Sequence, residues 1–158
     1  QFFVLLFAIS VMACSGGGDP APTPTPTPPT PTVSVATLVK KVWSASSVQW
    51  DGVTKYDKSS TSNVVQGYSQ YKLDLSTAGS VTLTEFDGKI FTGTYTVATD
   101  GNSLTLSGLT SAEGAPTGTG GTIIYSILST PTATGLSLQQ STAYVKASSA
   151  IVKLALVN

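Results

Sequence analysis

Apolar and polar residues alternate along most of the chain between residues 33 and 158. In the run 91–97, Phe91, Tyr95 and Val97 fall on one face, and threonines fall on the other. A period of two is typical of a β-strand with one buried face, as in antiparallel sheets. The same alternation recurs in runs 71–75, 81–84, 104–107, 136–139 and 152–156. The pattern therefore predicts an all-β domain.

Three segments depart from this alternation. In residues 122–128, apolar residues occupy both even- and odd-numbered positions, and hence both faces of a strand. This predicts a strand that is covered on both sides or one that contains a bulge. Residues 35–41 contain no turn-forming residue and are expected to include a short helix that leads into the first strand. Residues 50–68 are polar, and we expect them to form a mobile flap over one end of the domain.

The connections between the runs are short and rich in turn-forming residues. Asp-Gly pairs at 87–88 and 100–101, and the segments 77–79 and 132–135, separate neighbouring strands. Successive hairpins form a meander, and about eight strands can close into an up-and-down antiparallel β-barrel. The alternative is a β-sandwich, whose long crossover only the Gly-rich segment 108–121 could supply. The turn pattern favours the barrel.

The first residues differ in character from the rest of the chain. Residues 2–9 are continuously apolar, which is too short for a membrane span but typical of a secretion signal. The sequence Val11-Met12-Ala13-Cys14 at the end of this run resembles a bacterial lipobox. It predicts a truncated signal peptide over residues 1–13 and a lipoprotein acylated, with palmitate for example, on Cys14. Because Ser15 follows the cysteine, we expect an outer-membrane location in the cell envelope.

Residues 14–32 comprise this cysteine, glycines and a Pro/Thr-rich linker. Proline at nearly every second position from 20 to 31 removes backbone donors and fixes φ, so neither helix nor sheet is favoured. Such a segment forms a semi-rigid polyproline II spacer. The sequence thus predicts a stalk that joins the membrane anchor to a single folded domain over residues 33–158.

Composition narrows the classes of function. Eight lysines balance eight acidic residues, giving no net charge, so neither nucleic acid nor an anionic lipid surface is the expected partner. Histidine is absent, and Cys14 is the only cysteine, which removes the usual general base, most metal sites and any internal disulfide. We therefore expect a monomer that is not an enzyme and has no metal or cofactor. A glycosidase pair of Glu85 and Glu113, or calcium in the 51–57 loop, is supported by no spacing argument.

Several motifs carry a resemblance to a known family. The segments 39–43 (VKKVW) and 48–52 (VQWDG), then 91–97 and 100–106, resemble in order the lipocalin-like domain lipoproteins of Gram-negative bacteria. The resemblance implies a lipocalin-like barrel in which Trp43 plugs one end. Lys41 stands where lipocalins carry the glycine of their Gly-x-Trp motif, and the arginine that packs on this tryptophan in lipocalins has no counterpart here.

An eight-stranded barrel can hold its own side chains or one small ligand. If the barrel is open, aromatic residues would line a cup for a small apolar molecule; if it is short, they would fill the core. A third possibility is a non-enzymatic cell-surface interaction or glycan-binding module, should Trp50, Tyr56 and Tyr68 form an exposed patch. The candidate ligand-binding residues are Trp50, Tyr56, Tyr68, Tyr71, Phe91, Tyr95 and Tyr125.

Overall fold

The computed structural model describes residues 33–158, so the predicted signal peptide, Cys14 and the linker lie outside the described residues. The short helix α1 (Val35–Leu38) comes first, within the segment expected to contain it, and is capped by Ser34, whose Oγ accepts a hydrogen bond from the Thr37 amide. Two 3-10 helices span Gln66–Gln70 and Val145–Ala147. The strands are β1 (Val42–Trp50), β2 (Val53–Asp57), β3 (Lys72–Asp74), β4 (Ser80–Thr84), β5 (Ile90–Val97), β6 (Ser103–Thr110), β7 (Ile123–Ile127), β8 (Gly135–Gln140) and β9 (Val152–Val157).

The strands form one antiparallel sheet that closes on itself. From β3 to β9 each strand pairs with the next, β3 pairs with the first half of β1, and β9 pairs with β1 along most of its length. Eight strands thus form a closed barrel, and the ninth, β2, pairs with the second half of β1. The predicted meander barrel is confirmed and the sandwich alternative is wrong, because no long crossover interrupts the order of β3 to β9.

Alternation along each strand separates core from surface. In β9, Val152, Leu154 and Leu156 are buried, whereas Lys153 and Ala155 between them are exposed. Inward residues from all eight barrel strands join a single hydrophobic core. The apolar side chains therefore supply the burial that closes the barrel.

The prediction that segment 122–128 is covered on both sides, or bulged, is wrong. Strand β7 alternates like the others, and Ile124 points outward with 43% of its surface exposed. Register shifts occur instead in three other strand pairs, one of them between β5 and β6, next to Gly93. A Cβ atom on Gly93 would lie 2.5 Å from the backbone oxygen of Ser107, so only glycine allows this close approach of the two strands.

The Asp-Gly pairs do not all form the same turn. Asp51 and Gly52 both have positive φ, 46° and 80°, as a type I′ hairpin turn requires. At 87–88 and 100–101 only the glycine has positive φ, and the aspartate Oδ1 accepts a hydrogen bond from the amide two residues later. These two turns are therefore stabilised by the aspartate side chains.

The meander places alternate connections at opposite ends of the barrel. The lower end carries helix α1 and the β3–β4, β5–β6 and β7–β8 turns; the upper end carries the β1–β2 and β4–β5 turns and the two longer loops 111–122 and 141–151. Segment 50–68 lies over the upper end, as expected of the flap, and it contains regular structure, namely β2 and the start of a packed 3-10 helix. A Cβ atom on Gly67 would lie 2.0 Å from the backbone oxygen of Phe86, so the helix touches the β4–β5 turn directly. Across residues 33–158, helices are too short to span a membrane.

Candidate functional site

Trp43 lies at the lower end of the barrel, where the resemblance places a plug. Its side chain is fully buried, and Nε1 donates a hydrogen bond to the backbone oxygen of Val39, 2.8 Å away. This bond ties the residues after α1 to the first strand. Trp43 therefore has a structural role in closing the lower end, and a binding site is expected at the upper end.

At the upper end, four predicted ligand-binding residues pack into an aromatic cluster. Tyr68 lies at its centre, with ring centroids 6.2 Å from Tyr56, 6.0 Å from Tyr71 and 4.8 Å from Phe86. Trp50 packs edge-on against Tyr68 and donates its Nε1 hydrogen to the Tyr68 hydroxyl at 3.0 Å. Tyr56 and Tyr68 are buried, so the exposed aromatic patch expected for glycan stacking is not formed.

The other three predicted residues are also buried within the barrel. The hydroxyl oxygens of Tyr71 and Tyr125 lie 3.4 Å apart, Tyr95 donates a hydrogen bond to the backbone oxygen of Leu75 at 3.1 Å, and Phe91 is 2% exposed. The cavity beside Tyr68, Tyr71 and Tyr125 measures about 20 Å³, room for about one water molecule. In this structure the aromatic side chains therefore fill the core, which is the second of the two predicted arrangements.

A charge cluster of Glu85, Asp87, Tyr144 and Lys146 lies against this cavity. Glu85 is 2% exposed, and it accepts hydrogen bonds from the Tyr144 hydroxyl and the Lys146 ammonium. Lys146 Nζ is also 2.7 Å from Asp87 Oδ2 and 5.6 Å from the centre of the Phe91 ring. The cluster joins the β4–β5 turn to loop 141–151 and satisfies a buried carboxylate.

Burial and this cluster also fix the protonation of the interior tyrosines. Burial raises the pKa of Tyr125 to about 12. For Tyr144, burial and the hydrogen bond to Glu85 together raise the pKa far above its usual value, and burial does the same for Tyr71. These phenols are therefore neutral hydrogen-bonding groups at physiological pH.

The remaining acidic candidates have structural partners. Glu113 is exposed and pairs with Lys89, whereas Glu85 belongs to the charge cluster. Asp57 Oδ1 accepts hydrogen bonds from the amide and hydroxyl of Ser59, and Asp51 Oδ1 accepts one from the Ile151 amide. Within the described part of the chain, no three acidic side chains come together as a metal site.

A larger space opens on the outside of the upper end, where β7 and β8 diverge. Beyond the last paired residues, Tyr125 and Gln140, the Ser141 amide still donates to the Ile124 oxygen at 2.9 Å, and the space lies above this bond, between loops 111–122 and 141–151. We call this space of about 210 Å³ the β7–β8 groove. It is lined by Gly118, Thr119, Thr122, Ile123, Ile124, Gln140, Thr142, Ala143 and Tyr144.

Gln140 separates this groove from the interior. It lines both the groove and the 20 Å³ cavity, as do Ile123 and Tyr144. Its side chain is 6% exposed, and its Oε1 makes no hydrogen bond to any residue of the described chain. A buried acceptor without a partner is unfavourable, and such groups often mark the place of a water molecule or a ligand.

Gln140 is not among the residues predicted from the sequence to line a site, although the sequence carries a signal for it. Leu136 and Leu138 point inward, so continuing their period of two by one step places Gln140 on the same face. The same extension from Val81 and Leu83 reaches the buried Glu85. In both strands, the buried polar residue at the upper end follows two inward-facing apolar residues at the same spacing of two.

Comparisons with known proteins give two related folds at low sequence identity. A lipocalin-like protein from Bacteroides uniformis has a solved structure with a TM-score of 0.48 and 14% identity, covering 77% of this chain and 98% of its own. An uncharacterized protein from Bacteroides eggerthii gives a TM-score of 0.44 and 12% identity, covering 75% of this chain and 97% of its own. No family model matches the chain, and no curated protein matches it. Membership of the lipoprotein family stays a prediction from the sequence.

Proposed function

We propose that this protein is a membrane-anchored, non-enzymatic binding protein whose small-molecule site is the β7–β8 groove. The observation that carries the proposal is Gln140, which lines both the 210 Å³ groove and the interior cavity and whose buried Oε1 has no partner among the described residues. The groove lies between two loops on a closed barrel, the usual position for a binding site on a rigid scaffold. Its volume falls below the 300–1,000 Å³ of sites for drug-sized ligands, so the ligand is small.

The groove is a better candidate than the centre of the barrel. A small apolar ligand, as the lipocalin resemblance implies, would have to enter the space beside Tyr68, Tyr71 and Tyr125. That space is about 20 Å³, and the surrounding rings would have to move apart. Rearranging a packed core is costly, whereas the groove is already open to solvent.

Nuclear magnetic resonance can test whether the groove binds small molecules. A fragment library that includes apolar, charged and hydroxylated compounds is added to the isotopically labelled protein. We expect at least one class to shift the backbone amides of Thr122, Thr142 and Ala143 in a saturable way. The variant Thr142→Trp should abolish this binding, because the indole occupies the groove.

The matched control is Thr134→Trp, which adds the same ring to an exposed position in the β7–β8 turn at the lower end. It should leave the binding unchanged. A library in which no compound shifts the groove amides would overturn the proposed function.

The membrane anchor can be tested separately. Replacing Cys14 with serine removes the thiol that would carry the lipid, and two or more acyl chains are needed for stable anchoring. We expect Cys14→Ser to move the protein from the membrane fraction to the soluble fraction in a detergent-partitioning experiment. Partitioning that is unchanged by the substitution would exclude lipidation at this residue.

A further inference from the structure

We infer that the β7–β8 groove binds a small, uncharged molecule with several hydroxyl groups, about the size of one sugar ring. This inference rests on the proposed function and adds the chemical class of the ligand. It follows from the charge, the hydroxyl groups and the apolar surface of the groove, taken together with the Gln140 carboxamide.

The groove offers no partner for a charged group. None of the described residues that line it carries a charge, and Tyr144, its only titratable side chain, is neutral and donates to Glu85. Glu85, which accepts from Tyr144, already pairs with Lys146. A carboxylate or ammonium group bound here would lose hydration without compensation.

Threonine hydroxyls make the walls polar. Thr119 Oγ1 donates to the Pro116 backbone oxygen at 2.8 Å and accepts from the Gly121 amide at 3.1 Å, so this hydroxyl holds loop 111–122 in shape. Thr122 and Thr142 are exposed on opposite sides of the groove, one in each loop. Each hydroxyl can both donate and accept a hydrogen bond, which suits a ligand with hydroxyl groups of its own.

The side chain of Gln140 favours a ligand that carries a hydrogen-bond donor. Its Oε1 makes no hydrogen bond within residues 33–158, and the residue lies in the wall shared by groove and cavity. The terminal torsion of a glutamine side chain is broad, so turning the carboxamide away from the neighbouring Tyr125 hydroxyl would bring Oε1 towards the groove without moving the strand. A ligand hydroxyl that donates to Oε1 would then satisfy the one buried side-chain acceptor that lacks a partner among the described residues.

Apolar surface completes the site. Ile123, the 43%-exposed Ile124 and Ala143 line the groove beside the polar groups. The C–H face of a sugar ring can cover such surface while its hydroxyls meet the threonines. A purely apolar molecule would cover the same surface but leave the Gln140 acceptor and both exposed hydroxyls without partners.

The test uses probes that share a six-membered ring and differ in their substituents. A neutral set of glucose, galactose, mannose and inositol is compared with glucuronate, glucosamine and cyclohexanol, each titrated while the amides of Thr122, Thr142 and Ala143 are followed. We expect at least one neutral polyhydroxylated probe to bind, with the charged and mono-hydroxylated probes weaker by about tenfold or more, the effect of one lost hydrogen bond to a buried group.

The variant Gln140→Met tests the role of the Gln140 carboxamide in binding, and Gln139→Met is its matched control. Both substitutions replace a carboxamide by a thioether of similar length, but Gln139 lies on the outer face of β8. We expect Gln140→Met to weaken binding of the neutral probe about tenfold or more, while the melting temperature does not fall below that of Gln139→Met. A purely structural role for Gln140 predicts the reverse, a lowered melting temperature with affinity unchanged.

The outcomes separate the two proposals. If apolar or charged fragments shift the groove amides and no neutral polyhydroxylated probe does, the ligand class is wrong and the binding function stands. If a neutral probe binds equally well to Gln140→Met, the role of the carboxamide is wrong. If no compound of any class binds in the groove, both the ligand class and the proposed function fail.

Discussion

Replacing Trp43 with alanine is expected to lower the free energy of unfolding by about 3–5 kcal/mol, the usual cost of deleting a fully buried tryptophan. The ring is 0% exposed at the lower end of the barrel. Its loss would leave a cavity beneath helix α1 and remove the hydrogen bond from Nε1 to the Val39 oxygen. Urea unfolding followed by circular dichroism measures the change.

Trp43→Phe is the matched control for this prediction. Phenylalanine keeps much of the packing and loses the indole nitrogen, so its cost should be clearly smaller than that of alanine. A cost below about 1 kcal/mol for Trp43→Ala, near the range of surface substitutions, would contradict the role of this ring as the plug of the lower end.

The second large effect is expected in the charge cluster. Lys146→Met removes the cation that faces Glu85, and the carboxylate, 2% exposed, remains buried. Removing one partner of a buried ion pair typically costs about 3–5 kcal/mol. Because Tyr144 still donates to Glu85, we expect about 3 kcal/mol, the lower end of that range.

The double variant Glu85→Gln with Lys146→Met distinguishes a lost cation from lost packing. With no carboxylate left to neutralise, much of the stability should return, since neutral replacements of a buried pair are often tolerated. A double variant as unstable as the sum of the two single ones would instead show that the packing of the Lys146 side chain, whose ammonium lies over the Phe91 ring, is what matters.

The same cluster predicts the pH range of stability. Burial raises the pKa of Asp87, but its hydrogen bonds to Lys146 and the Lys89 amide outweigh this and lower the pKa below its ordinary 3.8. Burial lowers the pKa of Lys146, but its bonds to Asp87 and Glu85 outweigh this and raise the pKa above 10.5. The contribution of Asp87 is present above pH 3.8 and is lost as the pH falls through its lowered pKa.

The contribution of Lys146 has the opposite sign. It is fully present below pH 10.5 and is lost as the pH rises through the raised pKa of this lysine. Thermal melts across the pH range should therefore fall off on both sides for the wild type. Lys146→Met should show a smaller alkaline fall, because the share of this lysine is lost while that of the buried tyrosines, whose pKa values are also raised, remains. An identical alkaline fall in both proteins would show that other groups cause it.

The closed barrel could be predicted from the sequence because alternation and turn residues are local signals. The pattern of Leu136, Leu138 and their polar neighbours indicates a strand without any knowledge of its partners. Strand β2 was not predicted, since Tyr56 is its only buried residue and the strand depends on pairing with β1. Ile124 looked like a core residue because hydropathy alone does not distinguish the two faces of a strand.

The upper end was less accessible to sequence reasoning. Tyr68, Tyr71 and Tyr125 were identified as inward aromatics, but whether they surround a ligand or each other depends on the volume that the closed barrel leaves. The pairing of Glu85 with Lys146 joins residues far apart in the chain, in the β4–β5 turn and loop 141–151. Gln140 was identifiable only by its phase, and the absence of a partner for Oε1 required coordinates.

The pairing of β1 with β9 has a consequence for how the chain reaches its native state. The two strands that seal the barrel lie more than a hundred residues apart, so their contact carries a large loop-closure cost and non-local topologies of this kind fold in milliseconds to seconds. Until Val152–Val157 is available, β1 presents an open edge, the kind of surface on which strands from other molecules add. During synthesis, the chain is therefore most prone to aggregate in the interval before β9 emerges.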